Sequence, residues 1–171
     1  MVCISPGPSN PANAGLCLEF LKLLPKETPV FGVCLGHQIL GHFAGAPVVV
    51  ADRIMHGKTS EVFHRETGLF DGLPNPMECC RYHSLLVLAA KEPEKLEITA
   101  WTEQNEVMGL TYRDRPWVGV QFHPESVFTP DGMSISVFNF SRSASMMRST
   151  STPGQRPICT LIYEGSCRRC P

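Results

Sequence analysis

Val30-Phe31-Gly32-Val33-Cys34-Leu35-Gly36-His37-Gln38-Ile39-Leu40 is the stretch on which the fold turns. Val30 to Cys34 is a short apolar run and reads as a buried strand. From Leu35 to Ala44 the apolar residues Ile39, Leu40 and Phe43 share one helical face, and Gly45 supplies a stop. A strand therefore enters a helix at a cysteine held between two glycines. Upstream, Val2 to Ile4 reads as a strand ended by Pro6-Gly7-Pro8. Asn10 is a helix cap and Pro11 a first-turn residue for a helix to about Leu24, which Pro25 ends. Strand, helix, strand, helix implies an α/β fold with a parallel sheet.

Downstream the pattern becomes β-rich, with candidate strands at Pro47 to Ala51, Thr59 to Phe63, Arg81 to Leu88, Leu96 to Thr102, Val107 to Tyr112 and Trp117 to Phe122. Glu103-Gln104-Asn105 is a hairpin link. A last helix is expected from Gly132 to Phe140. From Ser141 the chain turns to Ser, Thr, Arg and Pro without periodicity, which predicts a tail without stable structure.

The 171 residues are 43% apolar and 18% charged, which excludes disorder throughout. Net charge is −1, giving no electrostatic case for nucleic acid or an anionic membrane. That total hides a split. Residues 1–140 carry ten basic and fifteen acidic side chains, −5, whereas 141–171 carry five Arg and one Glu, +4. No apolar run approaches the roughly 18 residues of a membrane span, and Met1 to Pro6 lacks the features of a signal peptide. Eight scattered cysteines in a chain of this size indicate reduced thiols in an intracellular compartment.

One of those thiols has the setting of a nucleophile. Gly32-Val33-Cys34-Leu35-Gly36 is the cysteine form of the G-x-S-x-G elbow, in which flanking glycines permit a sharp turn and the following helix aims free N–H groups at the sulfur. The pentapeptide alone equally fits a buried strand-end cysteine between packing glycines. His123-Pro124-Glu125 follows the strand Trp117 to Phe122 and adds what a thiol nucleophile needs. A base must take and return its proton, and a carboxylate must fix the imidazole tautomer. Both halves fall at C-terminal strand ends, where open α/β sheets bind ligands.

Six motifs then occur in order: Ser5-Pro6-Gly7-Pro8, Gly32 to Gln38, Met55-His56-Gly57-Lys58, Arg81-Tyr82-His83-Ser84-Leu85, Thr99-Ala100-Trp101-Thr102 and Gly119 to Ser126. Together they resemble the triad class of glutamine amidotransferases over residues 1–140, most closely the small glutaminase subunits of anthranilate synthase and aminodeoxychorismate synthase. The resemblance implies a flavodoxin-like, mostly parallel sheet with helices on both faces and a smaller antiparallel portion. It implies Cys34 as nucleophile, His123 as acid–base group and Glu125 as its orienting carboxylate. Gly7, Pro8, Ser9 and Leu35 line the oxyanion side by this likeness, and Gln38, Ser84 and Leu85 hold the amino-acid end of L-glutamine. The implied partner is a chorismate-binding synthase large subunit. No cofactor or metal is implied, and the compartment is the cytoplasm, or a plastid where a targeting segment precedes the chain.

Three departures from the family pattern stand out. Ser9 occupies a place where the family usually has glycine. Family members begin with about fifty further residues, a strand-helix-strand unit that this chain lacks. After Phe140 the family's closing helix gives way to the basic tail, so the expected division is an amidotransferase domain at 1–140 and a tail at 141–171. The motifs do not separate tryptophan synthesis from folate synthesis. A docking subunit without activity and a Cys hydrolase of esters or thioesters are the competing readings.

Other signals are weaker. Gly57-Lys58-Thr59 resembles the end of a phosphate loop, but Asp52 stands where its opening glycine belongs. Cys167-Arg168-Arg169-Cys170 is half a zinc site without a second pair. His37 and His42 do not share a helix face, His64 reads as a surface residue, and Tyr82 and Trp101 read as strand packing.

Overall fold

A computed structural model describes residues 1–88 and 93–135, and the backbone of 159–161. One sheet of eight strands organises the chain, in the order β4-β3-β5-β6-β7-β2-β1-β8. The strands are β1 (Val2–Ile4), β2 (Val30–Val33), β3 (Val48–His64), β4 (Met77–Val87), β5 (Leu96–Thr102), β6 (Val107–Tyr112), β7 (Trp117–Val120) and β8 (Cys159–Leu161). β8, β1, β2 and β7 run parallel to one another, and β7, β6, β5, β3 and β4 pair antiparallel. The α/β, flavodoxin-like class holds, with an antiparallel portion as large as the parallel one.

Helix α1 (Cys17–Leu23) and helix α2 (Leu35–Phe43) pack on one face, where Leu21, Leu35, Ile39 and Leu40 meet Val2, Ile4, Val30, Leu110 and Trp117. Strand alternation sends Phe31, Val33, Val118 and Val120 to the other face. There they meet Leu69 and Phe70 of a short 3-10 turn, Met77 of β4, and Ile135 after the three-residue helix α3 (Gly132–Ser134). Both faces are thus covered, but among the described residues the two longer helices share one of them.

Boundary differences have local causes. The helix expected from Asn10 to Leu24 is split, because Gly15 takes φ +57° between a 3-10 turn at Pro11–Asn13 and α1. Asn10 does cap, its Oδ1 accepting from the Asn13 N–H at 3.1 Å. The two strands expected between Pro47 and Phe63 are one long β3, whose irregularities lie between Val50 and Met55 and between His56 and Lys58. Gly57, at φ +66°, sits in the second of these, so Gly57-Lys58-Thr59 is a bulged strand and not a phosphate loop. Of the helix expected to Phe140, residues 136–140 lie outside the described part. So does most of the tail, with its Cys167-Cys170 pair. Within the tail, Cys159–Leu161 departs from the expectation of no structure by pairing with the outer edge of β1, whose N–H and C=O groups offer a ready template.

The parallel half converges at one contact. A Cβ placed on Gly36 would stand 2.2 Å from the Ile4 carbonyl oxygen, and one on Gly32 would stand 2.6 Å from the Gly36 carbonyl. The obstacles are main-chain atoms, so neither can move aside cheaply. Gly36→Ala is expected to cost about 3 kcal/mol of stability. Gly45→Ala meets nothing within 4 Å and is expected to cost about 1 kcal/mol, for its left-handed backbone alone. Urea midpoints of the two variants check the ranking.

Candidate active site

Cys34 ends β2 and caps α2 with φ 52° and ψ −102°, backbone angles that a non-glycine residue rarely adopts. This is the geometry expected of the elbow, and Gly32 and Gly36 make it sterically possible. The Cys34 N–H donates to the Val120 carbonyl at 2.9 Å, tying the elbow to the end of β7. Three residues past Val120 the chain reaches His123. Its N–H donates to the Cys80 carbonyl at 2.9 Å, and its own carbonyl accepts from Thr129 Oγ1 at 2.8 Å. Thr129 Oγ1 in turn accepts from the Cys80 N–H at 2.9 Å. A Cβ on Gly132 would stand 2.0 Å from the Pro124 carbonyl oxygen, so the start of α3 presses directly on the His123-Pro124-Glu125 turn.

His123 Nδ1 and Glu125 Oε1 are 2.7 Å apart. The second nitrogen, Nε2, is buried and has no partner of regular hydrogen-bond geometry, yet the Cys34 thiol contributes to the ring's titration. Burial, the strongest influence on the ring, pushes its pKa down. Hydrogen bonding with Cys34 and Glu125 and the attraction of both outweigh it and hold the imidazole at about 9. Burial would raise the Glu125 carboxyl, but its bond to His123 takes it below the ordinary value. Cys34, His123 and Glu125 are thus brought together. Such a set can pass a proton between sulfur and imidazole while a carboxylate fixes the ring.

The surrounding residues divide by exposure. Gly7 is half-buried and Pro8 and Ser9 are exposed, at the end of β1 beside the elbow. Leu35 buries its side chain in the helix-side core. Ser84 is exposed and lies in the register gap where β3 spends residues 51–54. Gln38 is 3% exposed and donates its amide hydrogens to the Leu85 carbonyl at 3.1 Å and to Gln121 Oε1 at 3.0 Å. It braces Leu85 from α2.

Tyr82, expected only to pack, has a larger place. Its carbonyl lies 3.9 Å from Cys34 Sγ, and its ring stands edge-on to His123 at 5.2 Å. Its neighbour His83 in the Arg81-to-Leu85 motif was the available signal. His64, expected at the surface, is 3% exposed, stacked on Phe70 at 4.8 Å and bonded to the Pro74 carbonyl at 2.8 Å. Among the described residues no cluster of His, Cys, Asp and Glu could hold a metal ion, and no helix is long and apolar enough to cross a membrane.

Comparison with known proteins follows the same geometry. The profile described as "Glutamine amidotransferase class-I" matches residues 1–143. The bifunctional protein TrpGD of Thermotoga maritima is 48% identical over 134 residues, 78% of this chain and 23% of that one. The aminodeoxychorismate/anthranilate synthase component 2 of Bacillus subtilis is 47% identical, over 75% of this chain and 66% of its own length. This chain therefore spans about a quarter of one relative and two thirds of the other. The solved structure of a Thermotoga maritima glutamine amidotransferase superposes with TM-score 0.59 at 21% identity, over 85% of this chain and 64% of that one, and likeness at that level shows the fold.

Two measurements test the local physics. Burial, chiefly, holds His37 and His83 neutral, with pKa lowered from 6.5 to about 3. Above 6.5 neither folded nor unfolded chain protonates them. As pH falls toward 3 only the unfolded chain does, so each removes about 1.4 kcal/mol of stability per pH unit. His123 acts oppositely: its contribution is fully present below 6.5 and is lost as pH rises through about 9. Urea midpoints should peak near pH 6.5 and fall on both sides, and a midpoint still rising toward pH 5 would contradict the buried neutral pair. Ser9 adopts φ 81°, so Ser9→Gly should relieve strain and raise stability by roughly 0.5 to 1 kcal/mol in the same assay.

Proposed function

Because this chain belongs to the class-I glutamine amidotransferase family, we propose that it is the glutaminase subunit of a chorismate-aminating synthase, releasing ammonia from L-glutamine. The observation that carries the reading is the bond of 2.7 Å between His123 Nδ1 and Glu125 Oε1, on an imidazole whose other nitrogen is left to a thiol at a strained elbow.

The Cys34–His123 pair carries its shared proton on the imidazole, which is held at about 9, and the sulfur attacks the side-chain amide carbon of glutamine. The tetrahedral oxyanion that forms is held by the backbone N–H of Leu35 and by the turn containing Gly7, Pro8 and Ser9. His123 returns the proton to the amide nitrogen, the C–N bond breaks, and ammonia leaves a γ-glutamyl thioester on Cys34. A water then gives a proton to His123 and its oxygen to the thioester carbon, and glutamate departs as the thiol is restored. Glu125 keeps the imidazole proton on Nδ1 and stabilises the imidazolium of each half-reaction. Ser84 and Leu85, the latter braced by Gln38, read the amino-acid end of the substrate.

Ammonia passes to a large subunit that aminates chorismate. Anthranilate synthesis is the first assignment for that product, and the aminodeoxychorismate reaction of folate synthesis is the alternative, since the Bacillus relative is named for both activities. This chemistry belongs in the cytoplasm or a plastid.

The test joins the full chain to a chorismate-using subunit and assays it with glutamine or with ammonium salt. Cys34→Ser should lower glutamine-dependent product at least a thousandfold and leave the ammonium-dependent rate within about twofold. Wild-type protein that is folded, yet forms neither thioester nor ammonia with the partner present, would refute the glutaminase reading and leave the docking role.

A further inference from the structure

Beneath the substrate side of the site lies a buried ionic network that the mechanism does not use. Arg81 is 1% exposed. Its Nη2 pairs with Glu106 Oε2 at 2.8 Å, its Nη1 donates to Ser60 Oγ at 3.1 Å, and its Nε donates to His83 Nε2 at 3.0 Å. Glu106 is itself fixed: its Oε2 accepts from Thr102 Oγ1 at 3.1 Å, and its N–H donates to the same hydroxyl oxygen at 3.2 Å. A guanidinium Nε always carries its proton, so His83 Nε2 must be an acceptor and the imidazole proton must lie on Nδ1.

That proton has an unusual place. His83 is 5% exposed, and its Nδ1 is buried with no partner of regular geometry. Leu85 lies two residues on along β4, and its backbone favours a proton on the ring but does not overcome burial and Arg81. The Leu85 carbonyl accepts from Gln38 of α2 at 3.1 Å. Between His83 and Leu85 stands Ser84, exposed in the register gap of the β3–β4 pair.

We propose that His83 is a positioning residue for the amino-acid end of glutamine: locked as the Nδ1–H tautomer by Arg81 and Glu106, it steers the Ser84–Leu85 main chain from below while Gln38 holds it from α2. The inference rests on the glutaminase reading and deepens it. His83 makes no hydrogen bond to Cys34, His123 or Glu125, so its loss should appear in the binding of glutamine and not in the turnover of bound substrate.

Two polar variants separate the ring's nitrogens. His83→Asn offers an amide N–H near the position of Nδ1, and His83→Gln offers an amide oxygen near Nε2 while lacking the Nδ1 donor. Each is assayed as the full chain with its chorismate-using subunit, and each is checked for folding by thermal melting. His83→Gln should raise KM for glutamine at least tenfold with kcat within about threefold, and His83→Asn should keep KM within about threefold of wild type. Alkylation of Cys34 by iodoacetamide, which has no α-amino or carboxylate group, should proceed within about twofold of the wild-type rate in both. Wild type that consumes glutamine while His83→Gln retains its KM would overturn the inference alone. So would equal losses of kcat, KM and alkylation rate in both variants, which would mark a merely structural residue. Wild type that consumes no glutamine would remove the glutaminase reading and this inference with it.

Discussion

The constraint on which the elbow depends is the approach of the Ile4 carbonyl to Gly36, where a single methyl group would stand 2.2 Å from the oxygen. That contact sets the end of β1 directly against the first turn of α2. It brings the turn after Ile4 beside the thiol and forces β2 to enter the helix through backbone angles of φ 52° and ψ −102° at Cys34. The bond from the Cys34 N–H to the Val120 carbonyl then fixes β7 to the same point. Strain at one residue is sustained because neighbouring main chain on three sides leaves no alternative.

From the elbow outward, packing and chemistry are shared between the two halves of the sheet. The parallel half supplies the sulfur and the imidazole, each at a strand end. The antiparallel half supplies a platform: β4 carries Cys80, whose carbonyl and N–H fix His123 and Thr129, and Tyr82, whose ring meets the imidazole edge-on. Gln38 bridges the halves, reaching from α2 to Leu85 on β4 and to Gln121 past β7. The two halves of the sheet are thus tied to each other beside the elbow.

Much of this could be read from the chain. Val30 to Gly36 announces strand, turn and helix by apolar run and paired glycines, and β5 and β6 fall where alternation and the Glu103-Gln104-Asn105 link put them. His123 and Glu125 were legible because two residues at a strand end can project to one side. What escaped depends on contacts between distant residues. The division near Gly15 turns on one positive φ, the fusion of two expected strands into β3 on bulges accommodated by β4, and the burial of His64 on its stacking with Phe70. Arg81 and Glu106, separate charges in the sequence, form a buried pair only once the β5–β6 hairpin lies over β4 through β3.

β1 has one further neighbour: Val2, Cys3 and Ile4 lie in register with Cys159, Thr160 and Leu161. Val2 and Cys159 stand far apart in the sequence, so that side of β1 is covered only by a contact of long sequence separation. Until β8 docks, the open edge of β1 is a place where any extended segment can lodge, so the company the folding chain keeps bears on how faithfully the sheet is finished.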